Sequence, residues 1–119
     1  MQVLLGSTFK DENDETVERT KEVIFIGPDN LRYVRRDKTG VIITLRDYAK
    51  EALIATFQDE RDLSNEEKAK RYGLFIKVKD AVDPAEFTVD EVSLMKKLVG
   101  KANTILIYGQ AAEMFEGKS

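Results

Sequence analysis

Three stretches of this chain carry the same helix-start signature. Thr44-Leu-Arg-Asp47, Ser64-Asn-Glu-Glu67 and Thr88-Val-Asp-Glu91 each read Ser/Thr-x-x-acid, and each opens a run of apolar residues at helical spacing. In such a box the hydroxyl accepts from an orphan N–H of the first turn. The acid at the third helical position accepts in return from the N–H of the cap, Asp less well than Glu. Residues 44–119 are therefore expected to form a short series of helices.

The apolar faces behind the boxes support this. Leu45, Tyr48, Ala49, Ala52 and Leu53 fall at i, i+3, i+4, i+7 and i+8, one stripe that Ile54 and Phe57 widen. A second helix over about 65–78 is expected to bury Ala69, Tyr72, Phe75 and Ile76. Gly73 inside it costs about 1 kcal/mol relative to alanine, which predicts a close approach by another element. Asp83-Pro84 breaks the chain, because proline pushes the residue before it out of helical geometry. A third helix over about 89–102 presents Val92, Met95, Leu98, Val99 and Ala102. Ile105, Tyr108, Ala112 and Phe115 fit a fourth helix capped by Asn103 or Thr104. Thr104–Tyr108 also fits a strand ended by Gly109, and helix is the favoured reading.

The first 43 residues read differently. Met1–Phe9 holds a short strand, and Lys10–Lys21 is an acid-rich loop. Lys21–Ile26 is a strand of Val-Ile-Phe-Ile character. Gly27-Pro28-Asp29-Asn30 is a turn with proline preset at its second position. Leu31 and Tyr33 alternate with Arg32, which predicts a half-buried strand with Leu31 and Tyr33 facing the core. Asp37-Lys38-Thr39-Gly40 reads as a further turn, followed by the β-branched run Val41–Ile43. The expected fold is α+β, an N-terminal antiparallel β-meander or hairpin packed on three to four short helices. Residues 1–119 are read as a single domain, β-rich over 1–43 and helical over 44–119.

Composition narrows the chemistry. A chain of 119 residues can bury roughly 65% of its unfolded surface, enough for a core without staples. There is no cysteine and no histidine. Thiolate zinc sites, disulfides and Ser-His or Cys-His nucleophiles are thereby excluded, and the commonest general base is missing. No catalytic residues, cofactor or metal are assigned, and the chain is read as a non-enzyme. No apolar run approaches the length of a membrane span. The N-terminus lacks the basic region of a signal peptide. A cytoplasmic location is the expectation.

Three motif-like features carry little. Gly117-Lys118-Ser119 resembles the end of a phosphate-binding loop, but Ala112 stands where that pattern needs glycine. Asp11, Asn13, Glu15 and Glu22 match several ligand positions of a calcium loop. Thr16 replaces the glycine that its sharp turn requires, so a solvated acidic loop is the default. The charge is uneven: residues 1–30 carry net −4, residues 31–50 net +4 and residues 51–119 net −3. Within the basic segment Arg32, Arg35, Arg36 and Lys38 are the candidate residues for an anionic partner. Cations also guard strand edges, which is the plainer reading.

A resemblance emerges from the helical part. Its order is Thr44-Leu-Arg-Asp with an alanine/leucine helix, then Leu63-Ser-x-Glu-Glu-Lys-x-Lys-Arg-Tyr72. Thr88-Val-Asp-Glu-Val92 and Leu94-Met-Lys-Lys-Leu-Val-Gly-Lys-Ala102 follow. Over about 44–117 this resembles a group of small phage and prophage proteins of uncharacterised function. Where that group has an aromatic and a proline near the start of the last helix, this chain has Asn103-Thr104-Ile105. The resemblance implies a viral protein in the cytoplasm of a bacterial host, and it supplies no site residues. The leading expectation is a non-enzymatic protein acting through protein–protein interaction, on a host or viral protein, in host-factor modulation or assembly. One alternative is a nucleic-acid-binding regulator using the basic strand at 32–38. Another is a homo-oligomeric structural protein whose surplus apolar residues, such as Ile54, Leu74 and Leu94, pair helical faces.

Overall fold

The computed structural model describes residues 1–117. Lys118 and Ser119, the last two residues of the Gly-Lys-Ser ending, lie outside the described residues. The order of elements is β1 (Gln2–Val3), β2 (Glu18–Ile26), β3 (Arg32–Ile42), α1 (Leu45–Ile54), α2 (Asn65–Asp80), β4 (Ala85–Glu86), α3 (Val89–Ala102) and α4 (Ile105–Phe115). The fold is α+β, with four α-helices and two separate antiparallel two-stranded sheets among the described residues. One sheet is the β2–β3 hairpin. The other joins β1 to β4 across most of the chain, with Val3 opposite Ala85. Among the described residues, no helix is long and apolar enough to cross a membrane.

The boxes start the helices as read. Thr88 is a full reciprocal box: Glu91 N–H donates to its hydroxyl at 3.1 Å, and Thr88 N–H donates to the Glu91 carboxylate at 2.8 Å. At Ser64 only the first arm forms, Glu67 N–H to the hydroxyl at 3.1 Å. At Thr44 the Asp47 carboxylate accepts from both the N–H, at 2.9 Å, and the hydroxyl, at 3.2 Å. Residues 105–115 are helical, and Thr104 is the cap.

The core gathers the stripe of α1, the Val92, Met95, Leu98 and Val99 face of α3, and Phe115 of α4. Val3, Leu5, Phe9 and Phe87 fill its other side. Phe9 meets Tyr48 edge to face, with ring centroids 4.6 Å apart. Polar contacts tether the N-terminal segment. The Asp83 carboxylate accepts from Leu5 N–H at 2.8 Å and Gly6 N–H at 2.7 Å. Arg46 of α1 donates to the Val78 carbonyl at 2.5 Å, satisfying one of the orphan carbonyls that end α2.

Helix α2 departs from its expected face. Arg71, Leu74 and Val78 are its buried residues, while Ala69 and Tyr72 are exposed and Phe75 and Ile76 half-buried. The reason is electrostatic. Arg71 turns inward because Glu60, on the short connector after α1, meets it with two bonds of 2.8 and 2.6 Å, and Glu67 adds a third at 3.4 Å. That pairing compensates an otherwise costly burial, and it rotates the helix away from its most apolar stripe. Gly73 is exposed, and a Cβ there would meet nothing within 4 Å, so the expected close approach is absent. Leu74 is in the core and Leu94 half-buried, so of the surplus apolar residues only Ile54 stays exposed. In α3, Ala102 is exposed. In α4 the buried pair is Ala111 and Phe115, with Ile105 and Tyr108 exposed.

Candidate interaction surface

The β-hairpin is longer than the sequence reading made it. No turn forms at Asp37–Gly40. Strand β3 runs through these residues to Ile42, and Gly40 takes a positive φ of 81° near a register shift between Glu18 and Thr20. A bulge with a left-handed glycine absorbs the local irregularity without ending the strand. Strand β2 begins at Glu18, inside the stretch read as loop. Gly27–Asn30 makes the turn: Asn30 N–H donates to the Gly27 carbonyl and Gly27 N–H to the Leu31 carbonyl, both at 3.0 Å.

None of the residues of β2 or β3 belongs to the buried core. Val17 and Ile43, joined by a backbone bond of 3.1 Å, are the last residues on either side to pack against it. Beyond them the hairpin projects as an arm. The molecule measures 56 × 36 × 25 Å with a radius of gyration of 17.0 Å. A compact chain of this length has about 13–14 Å.

The arm carries apolar side chains on both faces. Cross-strand partners share a face, so Ile24 with Val34 and Ile26 with Arg32 line one, and Phe25 with Tyr33 and Val23 with Arg35 line the other. Ile24 is 57%, Ile26 63% and Val34 60% exposed. Phe25 and Tyr33 stack with centroids 5.6 Å apart, and the Arg35 guanidinium lies 5.4 Å over Phe25. Gly27 makes room for this stack, because a Cβ there would sit 2.6 Å from the Tyr33 ring. The Tyr33 hydroxyl donates to Asp29, which holds that carboxyl below its usual range. The sequence reading placed Leu31 and Tyr33 in the core. They are 60% and 40% exposed, because no second layer stands opposite the hairpin.

The four candidate cations are distributed by the same alternation. Arg32, Arg36 and Lys38 lie on the Ile24 face and Arg35 on the Phe25 face. Three are paired within the chain. Arg36 meets Glu22 at 3.4 Å, Arg35 meets Asp37 at 3.0 Å, and Lys38 meets Glu15 at 3.2 Å and Glu18 at 3.9 Å. These are exposed pairs of modest strength. They nonetheless make the ribbon a mixed surface rather than a continuous basic one. The acidic loop is likewise committed. Asp11 accepts from Asn13 and Glu15 N–H groups at 2.9 and 3.0 Å, which lowers its pKa, and Glu15 and Glu22 pair with cations of β3. Among the described residues, no group of three or more acids converges as a metal site would require.

The body carries clefts of its own. One of about 640 Å³ is lined by Leu4, Pro84, Gln110, Glu113 and Met114 among others, and one of about 600 Å³ lies between the end of α1 and α2. Neither gathers an unpaired buried polar group, since every buried side-chain donor and acceptor among the described residues has a partner. The arm is thus the surface that departs most from what a globular exterior needs. Alternation in β2 and β3 made the strands readable, but their exposure followed only from the absence of anything packed on them. Comparison with protein-family models, curated proteins and solved structures finds no match for this chain.

Proposed function

We propose that this chain is a non-enzymatic interaction protein of a phage or prophage. It docks on a host or viral protein in the bacterial cytoplasm through the β2–β3 arm. The observation that carries the reading is the Phe25–Tyr33–Arg35 cluster, displayed on a two-stranded arm that contributes nothing to the core. Aromatic and arginine side chains supply most of the energy at protein interfaces. Contiguous exposed apolar surface rimmed by charge marks a binding site on a soluble protein. The viral and cytoplasmic parts of the reading rest on the sequence resemblance over 44–117. The partner that fits is a protein surface with an apolar hollow for the stacked rings and a carboxylate for Arg35. A nucleic acid fits less well, because three of the four cations are already paired and Arg35 is on the opposite face from the others.

The test is affinity capture from phage-infected cells with the wild-type chain and a Phe25→Ala/Tyr33→Ala variant as baits. A stoichiometric protein retained by the wild type and lost by the variant, at unchanged helical circular dichroism, supports the reading. Equal capture by both baits, or a nucleic acid as the retained species, overturns it.

A further inference from the structure

We propose that the outer edge of β2 is a self-pairing edge, which joins the arms of two copies of this chain into one four-stranded antiparallel sheet. The proposal rests on the arm being the docking element and names a second occupant for it, on the edge rather than on the aromatic face.

The argument begins with the direction of the backbone groups. Gly27 N–H donates to the Leu31 carbonyl, so Gly27–Leu31 is a hydrogen-bonded pair, and such pairs alternate with pairs whose groups point outward. Continuing along the register, Phe25–Tyr33 and Val23–Arg35 are bonded inward, while Ile26, Ile24 and Glu22 turn their N–H and C=O groups away from β3. From Thr20 to Ile26 these outward groups meet no further backbone partner among the described residues. The Lys10–Thr16 bridge flanks the chain only before β2 begins.

The two edges of the arm differ in charge. The outward residues of β3 are Arg32, Val34, Arg36 and Lys38, and those of β2 are Glu22, Ile24 and Ile26. A two-fold pairing of β3 with its own copy about Val34 sets Arg32 against Arg36, and one about Arg36 sets Arg36 against itself. Directly opposed like charges destabilise a ladder. A two-fold pairing of β2 about Ile24 sets Ile24 against Ile24 and Glu22 against Ile26, with no opposed like charges. It continues the Ile24–Val34 pair into one apolar row across four strands. About Glu22 the carboxylates would collide, and about Ile26 the partner of Ile24 would be Pro28, which has no N–H to offer. Among two-fold centres on a bonded pair of β2, Ile24 is the one that opposes no like charges and meets no proline.

Sterics select the same arrangement. Adding the β3 edge of one copy to the β2 edge of the next would repeat hairpins about 10 Å apart with the bodies on one side. Bodies on a molecule 36 × 25 Å in its two shorter dimensions do not fit that spacing. The two-fold β2 pairing places the bodies at opposite ends of the sheet. Each turn then reaches Thr20 of the other copy, where the free edge ends. Both Phe25–Tyr33 clusters emerge on the same face of the joined sheet, because the axis is perpendicular to it.

Sedimentation equilibrium tests the pairing. The expected mass is twice the chain's 13.5 kDa. Ile24→Pro removes an outward N–H that β3 does not use and should return the mass to that of one chain. Val34→Pro removes the equivalent group from the other edge and should leave the doubled mass. Since the chain has no cysteine, Ile24→Cys should form an interchain disulfide on mild oxidation, at the Cα separation of about 5.5 Å of a bonded pair, and Val34→Cys should not. The crosslink decides the matter should the proline variants lose the hairpin. A single-chain mass at the highest soluble concentration overturns the proposal, as does equal crosslinking from both positions. The Phe25→Ala/Tyr33→Ala variant should remain doubled in mass. Partner capture by a single-chain species would thus remove this proposal alone, and a doubled mass without capture would remove the hetero-partner reading alone.

Discussion

Arg71 and Glu60 are the residues on which the packing of α2 turns. Their side chains are 5% and 13% exposed, and two short hydrogen bonds join them. The Arg71 guanidinium, helped by Lys101 at 3.4 Å, holds the Glu60 carboxyl down at about 2. The folded-state pKa lies below the ordinary value of 4.5, so the stabilisation from this pair is complete above about pH 4.5. It is lost as pH falls from there toward about 2. Urea unfolding of the wild type should show this loss, and Glu60→Gln should flatten the dependence in that window. Arg71→Ala should cost about 3 kcal/mol at neutral pH, since it takes the bidentate partner from a largely buried carboxylate and leaves it only Lys101. Gly73 acts in the opposite direction. It is exposed in the middle of α2 with open space where a Cβ would stand. Gly73→Ala should raise unfolding free energy by about 0.5–1 kcal/mol, because only the backbone entropy of glycine is removed.

At the scale of elements, the helices and the arm are stabilised by different things. Each helix buries one stripe against the common core, and the capping boxes at the starts of α1 and α3 satisfy N–H groups that burial would otherwise orphan. Apart from Arg19 at its base, which pairs with Glu51 of α1 at 2.7 Å and Asp47 at 3.8 Å, the arm has only its ladder and its cross-strand pairs, and an isolated two-stranded hairpin is marginal in water. Its roots lie together, with Ile43 N–H bonded to the Val17 carbonyl at 3.1 Å. Replacing residues 18–42 by Asn-Gly, which suits a tight connection between paired strands, should therefore preserve the body. The expected outcome is an unchanged helical circular dichroism signal and a thermal midpoint within a few degrees of wild type, with loss of both partner capture and self-pairing. A collapse of helix content would mean that the arm is part of the core.

For the whole molecule, the consequence of a projecting arm is shape. The Cα radius of gyration of 17.0 Å exceeds the 13–14 Å of a compact chain of about this length. Small-angle scattering of the Ile24→Pro variant, measured as single chains, should give a radius well above the compact figure. The Asn-Gly replacement should fall back toward it. A wild-type value larger than either would fit end-to-end bodies joined through their arms. Matching values for the replacement and the single-chain variant would mean that the arm folds down on the body.

Local patterns account for much of this architecture. The three Ser/Thr-x-x-acid boxes, the spacing of Leu45 to Leu53 and of Val92 to Val99, and the Gly27–Asn30 turn are decided within a few residues of each other. Those features were legible in the chain because capping and amphipathic spacing act over a single turn or stripe. Charge distribution was legible too, including the cluster Arg32, Arg35, Arg36 and Lys38. Which residues those cations face was not, since pairing with Glu15, Glu18 and Glu22 depends on strand register. The pairing of β1 with β4 joins positions more than 80 residues apart, and no local signal marks a two-residue strand. The inward turn of Arg71 needed a carboxylate delivered by another segment. The exposure of Leu31 and Tyr33 needed the knowledge that no layer covers the hairpin. Periodicity says which residues share a face. Only the tertiary arrangement decides whether that face meets a core, a partner or water, because burial is a property of what stands opposite.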